Sequence, residues 1–234
     1  MSRIKSRGLN IRLIVAVAAF FFISGLAIGF VGGVAILHYR LPPFFYLNTL
    51  RHKWPFNSLV NSFNMHVYNA SADIAMLGDS ITESGDWATL LEQPHILNLG
   101  ISGDSSAGVL NRLNQVIARK PRAVFLMIGI NDFLKGIPLD LVERNIRLIA
   151  SQLVKNGIKP IIQSTLFVRG NSDLNAKIRA LDDDLREWCA ENKITFIDLN
   201  EVLSSNGSLR ADVSDDGVHL NNNGYILWRD VIRH

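Results

Sequence analysis

Short apolar runs alternate with amphipathic stretches over residues 73–234. Five of these runs have the length and the flanking residues that are typical of buried strands. In chain order they are Asp73–Gly78, His95–Leu99, Ala123–Ile128, Ile158–Gln163 and Ile194–Leu199. Elsewhere, apolar residues recur at intervals of three and four, the spacing of a helix with one buried face. This spacing predicts helices over Leu139–Leu153, Leu174–Trp188 and Asn221–Arg233.

Strands that alternate with helices predict an α/β fold with a five-stranded parallel sheet. Parallel neighbours need crossover connections, which are right-handed and place helices on both faces of the sheet. In sheets of this kind the ligand site lies at the carboxyl ends of the strands. Candidate chemistry is therefore expected in the segments that directly follow the strands.

An uncharged apolar run of 25 residues, Leu13–Leu37, precedes the α/β pattern. A helix of that length rises about 37 Å, enough to cross a hydrocarbon core of about 30 Å. The run is too long for the apolar region of a signal peptide, and no small-residue cleavage site follows it. We therefore predict a basic tail at 1–12, one uncleaved transmembrane helix at 13–37, a juxtamembrane connector at 38–72 and a folded domain at 73–234.

The charges that flank this run predict its orientation. Four Lys and Arg residues lie in the first twelve positions, whereas Arg40 alone directly follows the run. The positive-inside rule then places the N-terminus in the cytoplasm and the folded domain outside it, in the periplasm if the source is bacterial. Gly25, Gly29 and Gly33 recur every four residues. That stripe is as compatible with weak pairing between helices as with the general frequency of glycine in membrane helices.

Charge and cysteine content exclude several classes of function. The formal net charge is +3, but four of the 24 Lys and Arg residues belong to the tail, which leaves 20 basic and 21 acidic residues elsewhere. A basic face for nucleic acid is therefore not expected. Cys189 is the only cysteine, so neither an intramolecular disulfide nor a cysteine metal site is possible, and its helical context predicts a buried structural thiol.

Four polar clusters stand at the ends of predicted elements. Three of them follow strands: Gly78–Ser80, Gly100–Asp104 and Gly129–Asp132. The fourth, Asp215–His219, precedes the last helix. Each cluster alone is an ordinary turn. Together they supply a hydroxyl group, a histidine three residues after an aspartate, an amide side chain and glycine N–H groups, which are the parts of an acyl-transfer site.

In order along the chain, these clusters resemble the four motifs of the SGNH hydrolases, also called the GDSL esterase/lipase superfamily. The matching segments are Ile74–Glu83, Asn98–Ser105, Gly129–Asp132 and Asp216–His219, and the resemblance covers Ile74–Trp228. The resemblance implies a three-layer α/β/α sandwich with a flavodoxin-like parallel sheet.

The resemblance also implies a role for each site residue. It makes Ser80 the nucleophile, His219 the base and Asp216 the acid of a triad. It places the oxyanion hole at the N–H groups of Ser80 and Gly103 and at the side chain of Asn131. A serine hydroxyl needs a base within hydrogen-bond reach, and an imidazole can take its proton and return it. Asp215 is the local alternative to Asp216 as the acid of the triad.

Three further aspartates in these motifs have a structural interpretation. We interpret Asp79, Asp104 and Asp132 as residues that bind neighbouring backbone or polar groups rather than as catalytic groups.

The predicted function is that of a membrane-anchored serine esterase or acylhydrolase. Its substrate would be a lipid, acyl or O-acetyl-glycan ester or thioester, and the chemistry needs neither metal nor organic cofactor. One alternative is a catalytically silent domain of the same fold that binds an acylated glycan or a partner. A nucleotide-binding domain is disfavoured, since neither glycine-rich phosphate-binding motif is present.

Overall fold

The computed structural model describes residues 73–233. No helix in this part of the chain combines the length and the apolarity needed to cross a bilayer. The predicted tail at 1–12, the transmembrane helix at 13–37 with its glycine stripe, and the connector at 38–72 lie outside the described residues.

Five parallel strands form the central sheet, as the alternating pattern predicts. They are β1 (Ile74–Gly78), β2 (Ile96–Gly100), β3 (Ala123–Met127), β4 (Lys159–Gln163) and β5 (Thr195–Ile197). Each lies within two residues of its predicted bounds. The strand order is β2-β1-β3-β4-β5, the flavodoxin-like order. In that order the ligand crevice lies where the chain reverses its direction across the sheet, beside the carboxyl end of β1.

Eight helices are found among residues 73–233. They are α1 (Ser80–Glu83), α2 (Trp87–Leu91), α3 (Ser106–Ala118), α4 (Ile130–Leu134), α5 (Leu139–Lys155), α6 (Ser172–Glu191), α7 (Asn200–Leu203) and α8 (Asn222–Arg233). The three predicted helices correspond to α5, α6 and α8. A small antiparallel hairpin, β6 (Ser204–Ser205) and β7 (Ser208–Leu209), follows α7.

The helices form two contacting groups. Helix α3 packs on α5, which packs on α6, whereas α8 packs on α2 and α7. Right-handed crossovers explain the division, because the chain crosses from β1 to β2 in one direction and from β2 onward in the other. The α/β architecture is therefore the predicted one.

An aromatic cluster fixes α8 against the segment that follows β1. Trp87 of α2 packs edge-on against Trp228 of α8, with ring centroids 4.6 Å apart. Tyr225, also in α8, donates a hydrogen bond of 2.7 Å to the carbonyl oxygen of Ile81. Both tryptophans are almost fully buried. These contacts therefore attach α8 to α1 and α2, at the carboxyl end of β1.

Candidate active site

Ser80, His219 and Asp216 form a continuous hydrogen-bonded chain at the carboxyl end of β1. The Ser80 hydroxyl lies 3.0 Å from Nε2 of His219. Nδ1 of the same ring lies 2.7 Å from Oδ2 of Asp216. Ser80 is the first residue of α1, and the other two side chains come from the turn before α8. The order hydroxyl, imidazole, carboxylate is the order of a hydrolytic triad.

One tight turn presents both the imidazole and the carboxylate. Oδ1 of Asp216 accepts hydrogen bonds from the backbone N–H groups of Val218, at 2.8 Å, and His219, at 2.7 Å. Gly217 has a φ of +84°, which an L side chain rarely adopts. The second carboxylate oxygen of Asp216 remains directed at the ring. A spacing of three residues is thus enough to orient the histidine.

Hydrogen bonds keep the Asp216 carboxylate ionised. Partial desolvation is the largest single influence on its pKa and raises it, but the combined hydrogen bonds from the His219 ring and from two backbone N–H groups outweigh this effect. The pKa of Asp216 is therefore lowered to about 2. An anionic partner at Nδ1 favours the tautomer in which Nε2 is free to accept the serine proton.

Asp215 does not contact the histidine ring. Its Oδ1 accepts a hydrogen bond of 3.3 Å from the Asn221 side chain. Its carbonyl oxygen accepts one of 2.9 Å from Arg169, whose guanidinium also donates to the carbonyl of Ser214. The structure thus brings Asp216, and not its neighbour, to His219.

Gly103 and Asn131 lie in the segments that directly follow the two strands beside β1. Gly103 lies between β2 and α3 with a φ of +76°, a conformation that favours glycine. Asn131 is the second residue of α4, which follows β3. Its Nδ2 lies 3.4 Å from Oδ2 of Asp79, the residue that precedes Ser80. The Asp79 carboxylate, next to the nucleophile in the chain, therefore orients the Asn131 amide.

Asp79 is a buried cap beneath the site. Its Oδ1 accepts a hydrogen bond of 3.0 Å from the N–H of Ile81, and the residue is 1% exposed. Burial is the main influence on its pKa and raises it to about 7, although the Ile81 N–H and His219 act in the opposite direction. This contact agrees with the structural role predicted for Asp79.

Asp104 and Asp132 bind groups around the site. Asp104 forms an ion pair of 2.8 Å with Arg112, which also donates to the carbonyl oxygens of Gly78 and Leu99. Asp132 accepts hydrogen bonds from both the N–H and the hydroxyl of Ser106, at 2.9 and 2.7 Å. Both carboxylates thus tie together the segments that follow the strands.

Sequence reasoning missed three charged residues that brace the site: Glu83, Lys135 and Arg169. Glu83 accepts hydrogen bonds from the backbone N–H and the hydroxyl of Ser102. Lys135 donates a hydrogen bond of 2.7 Å to the carbonyl oxygen of Gly103. The one signal available was position, since Glu83 and Lys135 lie one turn after Ser80 and Asn131.

Cys189 takes no part in the hydrogen-bonded chain of Ser80, His219 and Asp216. Cys189 is a buried free thiol, as predicted, and burial raises its pKa to about 11. Within residues 73–233, no cluster of three or more His, Cys, Asp or Glu side chains is arranged to hold a metal ion.

Comparison with known proteins identifies the family of this chain. Residues 76–227 match the GDSL-like Lipase/Acylhydrolase family. The N-acylneuraminate cytidylyltransferase of Streptococcus agalactiae is 30% identical over 155 residues, which are 66% of this chain and 36% of that protein. The esterase TesA of Pseudomonas aeruginosa is 31% identical over 108 residues, which are 40% of this chain and 54% of the esterase.

Solved structures share the fold. A catalytic mutant of Axe2, an acetylxylan esterase from Geobacillus stearothermophilus, superposes with a TM-score of 0.60 at 21% identity. The superposition covers 70% of this chain and 93% of that one, and at this identity it shows the fold alone. By contrast, the chain spans about a third of the length of the first curated relative and about half of the length of the second.

Proposed function

Since the chain belongs to the GDSL-like lipase/acylhydrolase family, we propose that it is an ester hydrolase that works through an acyl-enzyme formed on Ser80. The observation that carries this proposal is the pair of contacts that joins the Ser80 hydroxyl to His219 and His219 to Asp216. Without such a base, a serine hydroxyl is a weak nucleophile near neutral pH.

In the acylation half, Nε2 of His219 takes the proton of the Ser80 hydroxyl as its oxygen attacks the ester carbonyl carbon. The carbonyl π electrons move onto the oxygen and give a tetrahedral oxyanion. Collapse of this intermediate breaks the bond to the leaving alcohol or thiol, which receives the proton from His219. Asp216 stays ionised throughout and stabilises the imidazolium, in keeping with its low pKa.

Deacylation repeats these steps with water in place of the serine hydroxyl. His219 takes a proton from water, the hydroxide adds to the acyl carbon, and the carboxylic acid leaves as Ser80 regains its proton. The N–H groups of Ser80 and Gly103 and the Asn131 amide would bind the oxyanion in both halves. One lost donor of this kind typically costs about 10²–10³ in rate.

The open position of the triad favours acyl groups that are carried on large molecules. The His219 and Asp216 side chains are 47% and 56% exposed, so the base lies at a surface rather than at the end of a tunnel. We propose lipid or O-acylated glycan esters as the substrate class. The N-acylneuraminate cytidylyltransferase that the chain resembles is named for a sugar, which is in keeping with the glycan branch.

We further propose that the hydrolase is held at a membrane by the helix predicted at 13–37, with the N-terminus in the cytoplasm. The support is the uncharged run of 25 residues and the four basic residues before it. Such an anchor would keep the site close to lipid headgroups or envelope glycans. Pairing through Gly25, Gly29 and Gly33 belongs to the same proposal.

Two measurements test the proposed chemistry. A fluorophosphonate probe should label the wild-type protein and should fail to label Ser80→Ala. A hydrolysis panel should then compare acyl chains from acetyl to palmitoyl on oxygen esters, thioesters and acetylated sugars. A catalytically silent binding domain predicts no labelling and no turnover on any member of the panel.

A further inference from the structure

Two charged side chains bind the segment Ser102–Gly103, one at each end. Glu83 accepts the N–H of Ser102 at 3.1 Å and, with the same oxygen, the Ser102 hydroxyl. Lys135 donates to the carbonyl oxygen of Gly103 at 2.7 Å. The peptide unit that carries the Gly103 N–H lies between these two attachments. Its orientation is therefore set by contacts on each side.

Each of the two side chains belongs to the short helix that carries another candidate oxyanion donor. Glu83 is the last residue of α1, three positions after Ser80. Lys135 caps the end of α4, four positions after Asn131. Each charged side chain is therefore attached within one helical turn of another candidate donor.

We infer that Glu83 and Lys135 are positioning residues that align the Gly103 N–H with the two other oxyanion donors, an inference that rests on the proposed function. Glycine is the residue with the greatest backbone freedom, and Gly103 has a φ of +76°. An oxyanion hole is effective only when its donors are held in place before the reaction. The two side chains supply the constraint that the glycine itself lacks.

The surrounding packing agrees with this role. The Asn98 side chain donates to the carbonyl oxygens of Glu83 and Gly85, both at 2.9 Å. A Cβ on Gly100 would overlap the backbone of Glu83, so β2 and α1 are in direct backbone contact there. The backbone of Glu83 is thus held in place, so that its carboxylate can fix the position of Ser102.

The primary test uses Lys135→Met and Glu83→Met in the full-length protein with p-nitrophenyl acetate as substrate. Each variant keeps an unbranched side chain but loses the charged group. We expect kcat to fall about 10- to 100-fold with KM changed less than about twofold, because the oxyanion exists only after the substrate is bound. Lys135→Arg and Glu83→Gln should recover most of the loss.

Matched controls and a transition-state probe separate positioning from general damage. Lys155→Met on α5 and Glu187→Met on α6 remove exposed charges of the same kinds and should leave kcat unchanged. Phenylboronic acid forms a tetrahedral adduct with a reactive serine, so its inhibition constant should rise by the same factor as kcat falls. A merely structural role would lower the melting temperature without this parallel.

The inference and the proposed function fail in different ways. If Ser80→Ala is inactive but the two methionine variants keep kcat within about twofold of wild type, the positioning role is wrong. If Ser80→Ala keeps wild-type turnover, the proposed function itself is wrong. If Glu83→Met does not fold, Ser102→Ala removes one of the two contacts without altering α1. A wild-type kcat in Ser102→Ala together with Lys135→Met would equally overturn the inference.

Discussion

The Ser80 hydroxyl lies 3.0 Å from Nε2 of His219 although 139 positions separate the two residues. The serine begins the short helix after β1, and the histidine lies in the turn before α8. The contact between them is stabilised from α8, since Tyr225 donates a hydrogen bond to Ile81, the residue after the serine. The last helix therefore helps to keep the Ser80 hydroxyl within hydrogen-bond distance of His219.

The first prediction concerns the triad to which this contact belongs. Ser80→Ala should leave the fold intact and remove nearly all esterase activity, because the deleted oxygen is the atom that would carry the acyl group. His219→Ala should have a similar effect, and the double variant should be little worse, since the groups act as a unit. Activity is measured with p-nitrophenyl acetate and the fold by circular dichroism. Wild-type turnover in Ser80→Ala would exclude this mechanism.

A second prediction concerns the amide of Asn131. Asn131→Ala should lower kcat by about 10²–10³ with little change in KM, because the amide would bind the oxyanion more strongly than the ground-state carbonyl. Asn114→Ala, on the exposed face of α3, is the matched control and should be silent. A raised KM with an unchanged kcat would instead make Asn131 a contact to the substrate.

The three central strands β1, β3 and β4 could be predicted from the sequence because they are buried on both faces. Residues 75–77 and 124–127 are almost wholly inaccessible, so they must be apolar without alternation, and such runs are easy to recognise. The hairpin Ser204–Leu209 escaped prediction because its two-residue strands are mostly polar. The Asn206-Gly207 pair is nevertheless a typical hairpin turn sequence, and both residues have positive φ.

The candidate catalytic residues could be predicted from the motifs, whereas the side chains that support them could not. A spacing of three residues already indicated that Asp216 and His219 share one turn. The contacts of Glu83 with Ser102 and of Lys135 with Gly103 join positions 19 and 32 apart. Such contacts depend on how far α1 and α4 lie from the β2–α3 loop, which no local pattern encodes.

A third prediction follows from the buried carboxyl group of Asp79. Burial raises the pKa of Asp79 to about 7, above its ordinary value of 3.8, so the folded state holds this proton more tightly than the unfolded chain does. The contribution of Asp79 to stability is therefore greatest at low pH and is lost as the pH rises from about 4 to about 7. Asp79→Asn removes this titration.

The test is the free energy of unfolding in urea at about pH 5 and about pH 8. Relative to wild type, Asp79→Asn should become more stable at the higher pH, by up to a few kcal/mol. Asp184→Asn, on the exposed face of α6, should show no such trend. A difference between wild type and Asp79→Asn that is the same at both pH values would contradict the prediction.

A fourth prediction concerns the segment before the hydrolase. Deletion of residues 1–37 should leave turnover on small soluble esters unchanged, because every candidate catalytic residue lies between Ser80 and His219. The same deletion should selectively reduce activity on esters presented in vesicles, since the proposed anchor would no longer concentrate the enzyme at the surface. Equal losses on both kinds of substrate would mean that the segment supports the fold rather than the location.

The last prediction concerns the side of the membrane on which the hydrolase works. Four basic residues in the first twelve positions, against Arg40 directly after the apolar run, predict that the N-terminus lies in the cytoplasm. In intact spheroplasts, or in right-side-out vesicles, added protease should therefore digest the hydrolase domain while a cytoplasmic marker protein stays intact. Moving the basic residues from the tail to positions after Leu37 should reverse the result, because the charge bias sets the orientation. Protection of the wild-type domain until the membrane is broken would show the opposite orientation, with the active site facing the cytoplasm.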